Sequence, residues 1–255
     1  MLKRSRTLIG FALLALALGA YASAPSVNWT GLTGLYTEPT AESLPARNFA
    51  VTFSEIRFVQ SGSNDERLHN RDISGIFSYG VSSRFEVCGR ISHEVIDFGL
   101  RDSETILHTA DGNFFTGDVK YVIARTGDNR IGLAAGINDI TNRTDKIADT
   151  TTGRGIRGFV VSTYRWMSTG VTVNKDRLGL YSGARVALTN NIDLVTEYSW
   201  PPVFPQTVPR PDYNVNFNLG LRLYPIQVPG LRADIAAVGD GDFDFGFSFS
   251  YQRPM

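Results

Sequence analysis

The stretch Phe243-Asp244-Phe245-Gly246-Phe247-Ser248-Phe249-Ser250-Tyr251 puts an aromatic ring at every odd position and a small or acidic residue at every even one. Side chains of a strand alternate between two faces, whereas a helix would scatter these rings around its circumference. One face of this segment is therefore apolar and the other polar. Working back along the chain, Tyr213, Val215, Phe217, Leu219, Leu221 and Leu223 oppose Asn214, Asn216, Asn218, Gly220 and Arg222 in the same way. Ile192/Leu194/Thr196/Tyr198/Trp200 and Ile131/Leu133/Ala135/Ile137 repeat the pattern, and Phe77/Tyr79/Val81, Phe85/Val87/Gly89/Ile91, Val119/Tyr121/Ile123 and Leu231/Ala233/Ile235/Ala237 follow it less regularly. About twelve such segments lie between Asn48 and Tyr251, each of the length a tilted strand needs to cross a bilayer.

The connections tend to alternate in length. Long polar ones are expected at residues 61–72, 97–113, 141–153 and 201–211, and tight turns near 82–83, 126–129, 166–168 and 189–191. The short link at 175–176 and the links at 224–230 and 240–241 fit less neatly. Short turns at one end and longer loops at the other are the asymmetry of an outer-membrane barrel. A soluble β-sandwich also alternates strands and turns, but nothing makes its loops alternate in length. The expected fold is all-β, an antiparallel transmembrane barrel of about twelve strands over residues 48–255.

The N-terminus points to export. Lys3, Arg4 and Arg6 precede an uncharged apolar run from Leu8 to Ala20, and Ala22-Ser23-Ala24 supplies a small-x-small cleavage pattern, so residues 1–24 read as a signal peptide. The run is too short for a helical membrane anchor, which needs about 20 residues. Mean hydropathy of −0.10 excludes a bundle of membrane helices but suits a barrel whose strands average apolar and polar faces. A formal net charge of +0 argues against a nucleic-acid partner. The single cysteine, Cys88, excludes an internal disulfide and shares parity with Glu86 and Arg90, which makes it a small inward-facing residue.

The face opposite the apolar one carries the charges. Glu86, Arg90, Asp118, Lys120, Arg185, Asp193, Glu197, Arg222, Asp234 and Asp244 are candidates for a lumen lining, since facing lipid they would cost up to about 2–4 kcal/mol each. Arg185 and Glu197 fall on adjacent strands, as do Arg222 and Asp234, so cross-strand ion pairs filling a narrow lumen compete with a polar channel for this ladder. Trp200, Tyr198, Tyr213, Tyr224, Trp166 and Tyr164 lie near strand ends, where aromatic girdles form.

Little here suggests catalysis. In Ser92-His93-Glu94 neighbouring residues point to opposite faces, so no triad can form among them. His69 and His108 fall in expected outer loops with no zinc-spaced partners. Asp240-Gly241-Asp242-Phe243-Asp244 lacks the downstream glutamate of a calcium loop and reads as a turn. Asn28-Trp29-Thr30 matches a glycosylation acceptor only at the level of a three-residue coincidence. No enzyme activity, metal or cofactor is expected.

Residues 25–47 are too rich in Gly and Pro for a helix and read as an extended plug or latch. Within them, Gly34-Leu35, Glu38-Pro39-Thr40-Ala41 and Leu44-Pro45 give the segment a pattern that resembles the opening of YjbH-like proteins, outer-membrane β-barrels tied to exopolysaccharide production. Ser78-Tyr79-Gly80-Val81, Arg84-Phe85-Glu86-Val87, the run Gly132 to Ile140, Gly179-Leu180-Tyr181-Ser182-Gly183 and Glu197-Tyr198 extend the likeness. The resemblance implies a non-enzymatic outer-membrane barrel supporting polysaccharide secretion or surface assembly. Its partners would be outer-membrane lipid, a polysaccharide and other proteins of that system. A small-solute channel is the alternative, and a lipid- or glycan-modifying enzyme a more distant one.

Overall fold

A computed structural model of the chain describes residues 26–29, 31–61, 66–100, 106–127, 131–140, 156–174, 177–200, 216–239 and 243–253. The expected signal peptide, Pro25, Tyr213 and the links at 141–153, 175–176, 201–211 and 240–241 lie outside these residues.

The described residues form twelve strands: β1 (Phe49–Ser61), β2 (Glu66–Gly80), β3 (Phe85–Leu100), β4 (Ile106–Arg125), β5 (Ile131–Asn138), β6 (Arg157–Tyr164), β7 (Met167–Asn174), β8 (Arg177–Thr189), β9 (Ile192–Trp200), β10 (Asn216–Leu223), β11 (Leu231–Gly239) and β12 (Phe243–Gln252). Each pairs antiparallel with its sequence neighbours, and β1 pairs with β12 from Ala50↔Gln252 to Ile56↔Gly246, which closes the barrel. Closure leaves no edge strand with unpaired backbone groups.

Parity separates the faces as the sequence indicates. On β12 Phe245 and Phe249 are 64% and 54% exposed, while Ser248 and Ser250 are buried inside. Ile91, Phe77, Phe115 and Ile235 also point outward and are more than half exposed. This exterior is far more apolar than a water-facing sheet tolerates without association.

The link between β10 and β11 at residues 224–230 lies at the same end as the turns at 81–84, 126–127, 165–166 and 190–191 but is longer than they are, so the expected alternation of length does not hold there. Arg165, in the two-residue turn between β6 and β7, takes a left-handed φ of 53°, as a tight hairpin requires. Two of the expected long loops are instead mostly strand. Residues 66–72 belong to β2, 97–100 to β3 and 106–113 to β4, so His69 and His108 sit in strands. Their polar side chains are unsuited to lipid, but a β-ladder is held by backbone bonds and does not stop where lipid does. The ladder continues through Ser61↔Arg67 and Glu66↔Leu100. With 13 to 20 residues in β1–β4 against 8 in each of β5–β7, one side of the wall rises above the other.

Candidate functional site

The N-terminal segment occupies the lumen at the short-turn end. Trp29, Leu32, Leu35, Tyr36 and Leu44 are all no more than 1% exposed. The segment folds on itself through bridges Val27↔Thr33 and Gly34↔Pro39, with Trp29 N donating to Tyr36 O at 2.7 Å and Leu35 N to Glu38 O at 2.9 Å. Two glycines make this compactness possible. Gly31 has φ 112° beside Cys88, and a Cβ on Gly34 would lie 2.3 Å from Glu38 O. The segment joins the wall where Arg47 N donates to Gly80 O and Gly80 N to Asn48 O.

Wall charges hold the plug by its backbone. The Glu197 carboxylate on β9 accepts from three successive plug amides, Tyr36 N at 3.2 Å, Thr37 N at 2.9 Å and Glu38 N at 2.9 Å, as well as from the Thr37 hydroxyl and Asn218 Nδ2. Glu86 on β3 accepts from Thr33 N at 2.6 Å and Leu44 N at 2.8 Å and pairs with Lys120 on β4 at 2.9 Å. Lys120 Nζ also donates to Thr33 O. Across the lumen Arg222 on β10 donates to Ser26 Oγ, Gly34 O and Leu35 O while its Nε pairs with Asp234 at 3.0 Å. Trp29 Nε1 donates to Ser248 Oγ on β12, Tyr181 OH on β8 to Pro39 O, and Ala41 N to Thr163 Oγ1 on β6.

A buried charge is stable only when paired and hydrogen-bonded. Here the plug supplies much of that satisfaction, so wall and plug are complementary in charge as well as shape. Two plug carboxylates reverse the direction: Glu42 takes Arg185 of β8 at 2.8 Å, and Glu38 meets Arg157 of β6 at 3.4 Å. Burial pushes the Glu38 carboxyl up to about 7 against the opposing pull of Arg157.

Nine of the ten charges singled out from the sequence are buried or nearly so on the inner wall. Arg90 reaches Asp72 at 3.7 Å, Asp118 accepts from Asp139 N at 2.6 Å, and Asp193 takes the Tyr224 hydroxyl at 2.8 Å. Asp244, the tenth, is half-buried toward the opposite end and caps Phe245 N. The pairing of Arg222 with Asp234 is present, but Arg185 pairs with Glu42 and Asp193 rather than with Glu197. The lumen is thus filled by a separate segment and not by cross-strand pairs alone. All seven motif positions, Gly34, Leu35, Pro39, Thr40, Ala41, Leu44 and Pro45, lie in that segment.

Cys88 is buried inside, beside Asp118 at 3.3 Å. Ser92 and Glu94 point inward and His93 outward to Asn113 at 3.1 Å, as parity requires. Tyr164, Tyr198 and Trp200 lie exposed on the exterior, whereas Tyr224 turns in to Asp193. Sequence reasoning missed Glu38, Glu42 and Arg157 as latch residues. Two acids in a Gly/Pro segment with no strand parity of their own were the available signal.

No family model and no curated protein matches the chain. Among solved structures it is similar to the COG4313 outer membrane channel from Pseudomonas putida F1, at 12% identity and TM-score 0.47 over 84% of this chain and 97% of that one. It is also similar to the TodX deltaS2S3 mutant monoaromatic hydrocarbon channel, at 10% identity and TM-score 0.43 over 94% of this chain and 98% of that one.

Proposed function

We propose that the chain is a non-enzymatic outer-membrane barrel that passes a small solute, with residues 26–47 as its removable stopper. The observation that carries this is the use of Glu86, Lys120, Glu197 and Arg222 to grip the plug's backbone. A narrow barrel with no aperture to close can fill itself with wall side chains. A separate segment bound largely through polar contacts is suited to closing an opening reversibly. The membrane setting is supported by the apolar exterior and the even strand number of the closed barrel.

Reconstitution in planar bilayers tests the reading. The native protein is expected to be mostly closed, and a Glu197→Gln/Arg222→Gln variant to show frequent steady openings. If both stay silent while still migrating on gels as heat-modifiable barrels, the channel reading is wrong. A second reading, support of exopolysaccharide export, rests on the YjbH-like motif residues, seven of which, from Gly34 to Pro45, fall in the plug and the rest in the wall and its turns. Loss of surface polysaccharide with unchanged solute uptake in a strain lacking the protein would favour it.

A further inference from the structure

Among the described residues, the outer face of β1 and β2 carries a cluster of charged groups where parity leads one to expect lipid. On β1 Val51 and Phe53 face outward at 49% and 47% exposure, and the next outward position is Glu55. Its carboxylate is 9% exposed because two arginines cover it. Arg57 reaches Oε1 through Nη2 at 2.6 Å and Nε at 2.8 Å, and Arg71 on β2 reaches the same oxygen through Nε at 2.9 Å. Arg57 and Arg71 are register partners, and their side chains remain 52% and 49% exposed.

One carboxylate neutralises one guanidinium, so the triad keeps a charge of +1 beside an apolar belt. Arg57 lies eight residues along β1 from Phe49 at the short-turn end. At ~3.3 Å per residue and a tilt of ~40° it stands about 20 Å up a belt about 25 Å tall. That is close to the belt's upper edge, on the side away from the short turns, which faces the outer leaflet. Two forked donors converging on a single oxygen also present the geometry that binds phosphate oxygens well.

We infer that Arg57 and Arg71, drawn together by Glu55, form a site for the phosphate of an outer-leaflet glycolipid. The inference rests on the membrane reading and is independent of whether the lumen conducts. An anionic headgroup there cancels the residual charge, and the acyl chains lie along Phe53 and Ile73 below it.

The test is native mass spectrometry of the detergent-purified protein titrated with bisphosphorylated lipid A, dephosphorylated lipid A and phosphatidylglycerol. The native protein is expected to retain the bisphosphorylated form in preference to the other two. Arg57→Gln/Arg71→Gln is expected to weaken that retention by about 25-fold, about fivefold for each arginine. Glu55→Gln, which leaves both cations, is expected to keep it. Equal retention of all three lipids, or no difference between the native protein and the double variant, overturns the site. Heat-dependent gel migration separates the two failures. A variant that shifts on boiling yet binds lipid unchanged refutes the site alone, whereas a native protein soluble without detergent and lacking the shift refutes the membrane reading beneath it.

Discussion

Replacing Glu197 with glutamine should release the plug without dismantling the wall. Three amides, from Tyr36, Thr37 and Glu38, converge on one oxygen of this carboxylate at 2.9–3.2 Å, and the Thr37 hydroxyl and Asn218 occupy the other. Hydrogen bonds to a charged group contribute about 1.5–3 kcal/mol against about 0.5–1.5 for neutral ones. Removing the charge therefore costs roughly 1 kcal/mol for each of the three amides, or about 3 kcal/mol together. The glutamine NH2 must also face donors whichever way it turns. A loss of that size raises the population of released plug about 100-fold. Hydrogen exchange followed by mass spectrometry reads it directly, since an amide exchanges at a rate set by its local opening free energy. Protection of the Tyr36, Thr37 and Glu38 amides should fall about 100-fold while β10–β12 stay protected. Unchanged exchange at those amides would refute the reasoning. So would an equal loss over the whole barrel, because Glu197 would then be holding the wall and not the plug.

Lys120→Met should strand the buried Glu86 charge and destabilise the protein by about 3–5 kcal/mol, read as a lower temperature for loss of the fast-migrating unboiled form. Adding Glu86→Leu should restore part of that loss. Gly246→Ala sets a Cβ about 2.5 Å from the Trp29 ring, so the indole should be displaced from Ser248 with a red-shifted fluorescence and a cost of about 1–3 kcal/mol. The Glu38 carboxyl, raised to about 7 by burial, favours its protonated form when the plug is seated. Its contribution is fully present below about 4.5 and is lost as pH rises through about 7, so plug amides corrected for intrinsic rate should exchange faster at pH 8 than at pH 5. Glu38→Gln should flatten that dependence, and an opposite slope in the native protein would contradict it.

Strand identity and facing were legible because period-two alternation is a local property. Phe245 and Ser248 declare their faces with no knowledge of their neighbours. Pairing of Arg222 with Asp234 was legible too, since register follows once two strands share a turn. The partnership of Arg185 with Glu42 was not, because it joins a strand to a segment with no periodicity, 143 residues away in the chain. Strand ends at the tall wall were misjudged for a different reason. Polarity marks where lipid stops, and around His69 and His108 the backbone ladder continues past that point. Glu55 also escaped notice: on an apolar face it makes sense only with its two arginines, Arg57 two residues on and Arg71 on the next strand.

The attachment of the plug at the seam constrains how the molecule can be put together. Asn48, the last residue before the wall, and Phe49, the first of β1, bond to Arg253 just beyond the end of β12. The grip on the plug is distributed from β2 to β12, so it is complete only after the C-terminal strand has docked beside the first. The earliest part of this segment to be synthesised is therefore among the last to reach its native contacts. Until the ring shuts, Trp29, Leu35 and Tyr36 have no completed chamber to enter. During that interval their apolar surface lacks the cover that the closed wall gives it. A barrel with every strand in register is thus what presents the full set of grips to the plug.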